Sequence, residues 1–169
     1  VCEKAEEYKA SGKTCLGVLS DGSANCVISL FGAAKAGLQI VLLDANLPDE
    51  AYPPLLKYTD ADTLWGDPDL CEDLAPHLGS GVPGGSDSVL FFTSGTTSSS
   101  KAVELTQYSL CQSAFNGGSL LPLTEEDTLL CVLPLGHVFG FICGLLCGLY
   151  SGACVALGRG PRHYTDDCL

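Results

Sequence analysis

The sequence predicts an α/β fold, a mostly parallel sheet flanked by helices. Two observations carry that prediction. Short β-type apolar runs alternate along the chain with stretches of helical periodicity. The 169 residues are 46% apolar and only 17% charged, below the roughly 25% charge of an average soluble domain. Such a chain can bury one core and lacks the low hydrophobicity and high charge of a disordered segment.

Val1 to Lys9 reads as the middle of a helix. With no initiator Met, the chain is expected to begin inside a longer protein. Cys15–Leu19 reads as a strand. A helix follows from about Ser23, where Val27, Leu30, Phe31 and Ala34 recur at i, i+3, i+4 and i+7 and Gly37 supplies the stop. Gln39–Leu43 reads as a buried strand, Glu50–Tyr58 as a helix weakened by Pro53 and Pro54, and Thr63–Trp65 as a short strand. Leu78–Asp87 is a Gly, Ser and Pro connector. Its Gly79-Ser80-Gly81-Val82-Pro83-Gly84 matches GxGxxG only formally, since a dinucleotide fingerprint follows a strand and opens a helix. Then come strands Val89–Phe92 and Ala102–Leu105. Thr106 caps a helix with apolar positions Leu110, Cys111, Ala114 and Phe115, and Leu129–Leu133 reads as another buried strand.

Val138 to Leu157 holds 20 residues without a charge, with glycines at 140, 144, 148 and 152. One reading is a membrane helix with a small-residue face. The other is a buried helix of about a dozen residues, a Ser151–Gly152 turn and a strand Ala153–Leu157, neither half long enough to span a bilayer. The second is favoured because it continues the strand–helix alternation, so no transmembrane segment is expected.

The net charge of −12, from 20 acids and 8 bases, excludes nonspecific nucleic-acid binding, which needs cations against phosphates. Half the acids lie between Asp44 and Asp87, where Lys57 is the only base. They read as a solvated face, or as a surface for a basic partner. The 10 cysteines do not form a disulfide framework. No CxxC pair occurs, and Cys15, Cys26, Cys131, Cys143, Cys147 and Cys154 sit in apolar runs, as buried free thiols do. A reducing, cytoplasmic compartment is expected.

Val89–Thr106 carries the chemistry. A buried strand runs into a loop with seven hydroxyl side chains among eight residues, Thr93 to Ser100, interrupted by Gly95 and closed by Lys101. Flexible backbone, dense N–H and O–H donors and one cation suit a polyanion such as a triphosphate. A Ser/Thr-rich linker has similar composition, but a linker would not be gripped by buried strands on both sides. The loop is not Walker A: Gly95 lies six residues before Lys101, and Ala102 follows the lysine.

Thr93-Ser94-Gly95-Thr96-Thr97 followed by Ser98-Ser99-Ser100-Lys101 resembles the phosphate-binding signature TSGTTGxPKG of the adenylate-forming, AMP-binding superfamily, which includes the acyl-CoA synthetases. Leu133-Pro134-Leu135-Gly136-His137-Val138-Phe139-Gly140-Phe141 resembles that superfamily's LPLFHxFG motif. Gly32 to Gly37 with Val41 to Asp44 resembles the helix and strand that precede both. The order and spacing match, and the resemblance covers essentially the whole chain. Ser98, Ser100 and Ala102 depart from the signature, as does Gly136, which stands where an aromatic is common and could open space beside His137.

The resemblance implies a partial N-terminal AMP-binding domain over residues 1–169, with downstream subdomains and the C-terminal domain absent. It implies a parent enzyme, an acid–thiol ligase using ATP and Mg2+, that joins a fatty or aromatic carboxylic acid to coenzyme A, or to an acyl carrier protein, through an acyl-adenylate. Thr93, Ser94, Gly95, Thr96, Thr97 and Lys101 would hold phosphates. His137 would act at the carboxylate, and Lys101 and His137 are the catalytic candidates. Metal ligands are not assigned, and Asp166-Asp167 has no ligand spacing around it. The fragment alone is expected to be inactive. The alternatives are a non-catalytic nucleotide-binding or scaffold module on the same fold, and a small membrane-anchored protein built on 138–157. His77 and His163 read as surface or structural. No G-x-S-x-G occurs, so a nucleophile-elbow hydrolase has no support.

Overall fold

A computed structural model describes residues 1–84, 86–93 and 101–158. The predicted alternation is present. Helix α1 (Cys2–Ser11) precedes β1 (Cys15–Ser20), α2 (Ala24–Ala36), β2 (Gln39–Asp44), α3 (Tyr52–Thr59), β3 (Thr63–Trp65) and α4 (Pro68–Leu74). After the connector come β4 (Ser88–Thr93), β5 (Lys101–Thr106), α5 (Gln107–Leu120) and β6 (Thr128–Cys131). A π-helical stretch, Gly140–Leu146, then runs into α6 (Cys147–Tyr150), followed by β7 (Cys154–Leu157).

Five strands form one sheet in the order β3-β1-β2-β4-β5. The β1, β2, β3 and β4 pairings are parallel, and β5 returns antiparallel beside β4. One face buries Leu16, Val18, Ile40, Leu42, Val89 and Phe91 against Leu30 and Ala33 of α2, Leu110 of α5, and Phe141 and Leu145. The other buries Leu19, Val41 and Leu43 against Tyr52 and Leu56 of α3 and Leu74 of α4.

Local chemistry sets the boundaries. Ser23 accepts a hydrogen bond from the Cys26 amide at the start of α2, the expected satisfaction of an orphan helix donor. Gly37 ends the helix at φ 83°, where its N–H reaches the Ala33 and Ala34 carbonyls, a left-handed cap that glycine adopts without strain. Pro53 and Pro54 do not weaken α3. They occupy its first turn, where the missing N–H has no intrahelical partner to lose. Helix α4, not foreseen, starts at Asp67, whose carboxylate accepts from the Asp69 and Leu70 amides, with Pro68 in the first turn.

Four further readings need correction. The strand expected to be buried at 129–133 is β6, and only Cys131 is buried in it, while Leu130 is 45% and Leu133 40% exposed. The helix that follows packs on the face carrying Leu129 and Cys131, and Leu130, next along the strand, points to the other face. In α5, Leu110 and Ala114 are buried but Cys111 and Phe115 are exposed; the Phe115 ring lies instead edge-on to Tyr150. Among the expected buried thiols, Cys154 is exposed and Cys143 only half-buried. The acidic stretch is not wholly solvated: Asp62 is 8% exposed and accepts from the Thr14 and Cys15 amides and the Thr14 hydroxyl.

The uncharged segment forms the helix, turn and strand expected of its second reading. Two of its glycines pack on the small sheet. A Cβ at Gly144 would lie 2.5 Å from Cys131 Sγ, and one at Gly148 2.7 Å from Val155 Cγ2. Among the described residues, no helix is long and apolar enough to cross a membrane.

Candidate functional site

Strand β4 is a central strand, and its last residue, Thr93, stands opposite Lys101, the first residue of β5. The ends of these two strands therefore hold the ends of the hydroxyl-rich loop side by side. Ser94, Gly95, Thr96 and Thr97 themselves lie outside the described residues, as does His163. Lys101 is exposed. His77 is exposed in the turn after α4.

His137 belongs to the connection between β6 and the π-helical stretch. Its amide donates to the Pro134 carbonyl at 3.1 Å, and its own carbonyl accepts from the Phe141 amide at 2.9 Å. Two backbone bonds thus fix the turn while the side chain stays exposed. The π-helical turn begins three residues later. Such wide turns are rare and recur at functional sites.

A cavity of about 460 Å³ joins the two regions. Phe91 and Phe92 of β4 and Val103 of β5 form one wall; Leu133, Pro134, His137, Val138, Phe139 and Gly140 form the other. Among the described residues of this lining, His137 is the only titratable side chain. The motif around His137 holds Leu133, Pro134, Val138, Phe139 and Gly140, but their meeting with Phe91, Phe92 and Val103 was not legible, because it depends on how distant elements pack. The expected space beside His137 at Gly136 is not open: Gly136 is buried, and a Cβ there would lie 3.3 Å from the Asp44 amide nitrogen at the end of β2.

Among the described residues, no group of three or more His, Cys, Asp or Glu side chains is placed to hold a metal ion.

A mixed α/β fold with a mostly parallel helix-flanked sheet, whose β4–β5 pair shares one cavity with His137, defines the class. This is the N-terminal architecture of adenylate-forming enzymes. The family model for AMP-binding enzymes matches residues 82–169, more than half of the chain, and the chain belongs to that family. An oxalate–CoA ligase of Arabidopsis thaliana is 37% identical over 129 residues, 76% of this chain and 23% of that protein. A probable CoA ligase, CCL9, of Humulus lupulus is 51% identical over 75 residues, 44% of this chain and 14% of that protein. Among solved structures, the anthranilate CoA ligase AuaEII in complex with anthranoyl-AMP shares the fold with a TM-score of 0.83 at 23% identity, over 99% of this chain and 40% of that one. The chain spans less than half the length of each.

Proposed function

We propose that this chain is a partial N-terminal subdomain of an ATP-dependent carboxylate ligase, which activates an acid as its acyl-adenylate and transfers the acyl group to the thiol of coenzyme A. One observation carries the reading: the strand ends that bracket the hydroxyl-rich loop share a cavity with His137. The chemistry needs such a meeting. A carboxylate oxygen attacks the α-phosphorus of ATP, the α–β bridging bond breaks, and pyrophosphate leaves with the electron pair. The thiolate then attacks the acyl carbon and AMP departs. Both partners of the first step are anions, so donors must be fixed where charge accumulates.

In this reading the Thr93, Ser94, Thr96 and Thr97 hydroxyls and the Gly95 amide hold the β- and γ-phosphates, and Lys101 adds a point charge. His137 orients the carboxylate at the cavity's mouth. The lining of Phe91, Phe92, Val103, Leu133, Val138 and Phe139 favours a fatty or aromatic acid over a small diacid, whose second carboxylate would be desolvated among apolar groups. Residues 1–169 alone do not turn over, because the adenine-side groups come from elsewhere in the parent.

The test is ATP–pyrophosphate exchange by the full-length parent with octanoate, benzoate, cinnamate, oxalate and an amino acid, beside a Lys101→Ala control. Exchange stimulated by the apolar acids and lost in the control is expected. Stimulation by oxalate alone would keep the ligase and remove the apolar acid. Exchange with no acid would remove the ligase and leave the scaffold module that the Ser98, Ser100 and Ala102 replacements permit.

A further inference from the structure

None of the six residues of β5 is buried. Leu105 packs against the core only in part, and a strand with so little buried has a weak hydrophobic reason to hold one register. Yet register matters here, because it sets Lys101 opposite Thr93 at the mouth of the loop.

Side-chain bonds supply what burial does not. Glu104 stands opposite Leu90, on the same face of β5 as Ala102 and Thr106. Its Oε1 accepts from Ser88 Oγ at 2.6 Å and from Gln39 Nε2 at 3.3 Å. Ser88 is 2% and Gln39 8% exposed, so both donors are anchored in the sheet. Gln39 Oε1 in turn accepts from Cys15 Sγ at 3.6 Å, and the chain of bonds crosses β1, β2, β4 and β5. A slip of β5 by two residues would keep every side chain on its face. It would also carry Glu104 away from its donors, and Lys101 away from Thr93, by about 6.8 Å.

We propose that Glu104 is a positioning residue: its carboxylate pins the register of β5 and thereby places Lys101 beside the phosphate-binding loop. The consequence for Lys101 rests on the ligase reading; the pinning does not.

Glu104→Ala and Glu104→Gln are compared with the unaltered full-length protein in two measurements. Amide hydrogen exchange over 101–106, without nucleotide, reads the pinning. The KM for ATP and for the acid in pyrophosphate exchange read its consequence. Loss of the acceptor is expected to speed exchange of these amides and raise the ATP KM, each roughly tenfold, the scale of one hydrogen bond to a charged acceptor. Exchange in β1 and the KM for the acid stay in place. Glu104→Gln keeps an acceptor oxygen and restores most of both. Unchanged protection of β5 in Glu104→Ala, a Gln variant no better than Ala, or a joint rise of both KM values overturns the inference. If the unaltered protein exchanges with no acid, the ligase reading falls and the hydrogen-exchange arm still decides the pinning.

Discussion

The rings of Phe91 and Phe141 meet edge to face, with centroids 5.5 Å apart and planes at 62°. Phe91 lies on β4 just ahead of the loop, and Phe141 on the helix just after His137. They are 2% and 5% exposed, so this buried contact joins the two walls of the candidate site. Phe141→Ala is expected to destabilise the fold by about 3–5 kcal/mol through lost transfer and a residual cavity. A cycle with Phe91→Leu should show a coupling of about 0.5–1.5 kcal/mol for the ring pair. Urea denaturation measures both. Additive losses would mean that the rings pack independently and clamp nothing.

Gly144 sits over Cys131. In an exposed helix, Gly→Ala stabilises by about 1 kcal/mol. Here the new Cβ would lie 2.5 Å from Cys131 Sγ, so Gly144→Ala is expected to cost about 1–3 kcal/mol, as overpacking does. Cys131→Ala removes the sulfur, and in that background the cost should shrink sharply. Equal costs in both backgrounds, read from denaturation midpoints, would show that the sulfur is not the obstacle.

Much of this fold was legible because its signals are local. Ser23 and Gly37 bracket α2, and β-type residues at 63–65 mark a short strand. Asp67-Pro68 is an equally local cap signal that the sequence reading passed over. What could not be read depends on distant partners. Leu130 looks like a core residue until the helix after β6 proves to cover only the face of Leu129 and Cys131. Asp62 looks like one more surface acid until it turns toward the Thr14 and Cys15 amides. In the candidate site, His137 stands out by its motif, and it lines the cavity. That Val103 of β5 lines the same cavity was not legible, because it depends on the packing of distant elements.

The thiols separate by environment. Burial, with the charges of Asp62 and Asp60, pushes Cys15 up to about 12. Burial, eased by Ser20, pushes Cys26 to about 11. Cys2 is held low by the Lys35 ammonium, which donates to its sulfur at 3.1 Å. Timed alkylation near neutrality should label Cys2 first and Cys15 and Cys26 last, read by peptide mass. A thiol whose folded value is raised stabilises the fold fully below its unfolded value, and that contribution is lost as pH rises through the folded value. The urea midpoint should therefore fall as pH climbs from 9.0 toward about 11 and about 12. A midpoint that rises across this window would contradict the burial of both thiols.

Under the ligase reading, Lys101 and His137 fail differently when truncated. Lys101→Ala weakens the hold on ATP, so its KM for ATP rises. His137→Ala leaves ATP binding in place and removes a group aimed at the carboxylate. A fixed donor acting where charge develops is worth about 10²–10³ in rate, and a loss of that order is expected in the acid-dependent kcat/KM. The fold should tolerate the change, since the turn is held by backbone bonds at Pro134 and Phe141 and the side chain is exposed. Exposed substitutions of this kind shift stability by about 0.5 kcal/mol or less. Initial-rate kinetics over a grid of ATP and acid concentrations, with a thermal melt of each variant, separates the roles. If His137→Ala raised the KM for ATP as much as it lowered acid-dependent turnover, the histidine would be serving the nucleotide, and its place in the mechanism would have to be redrawn.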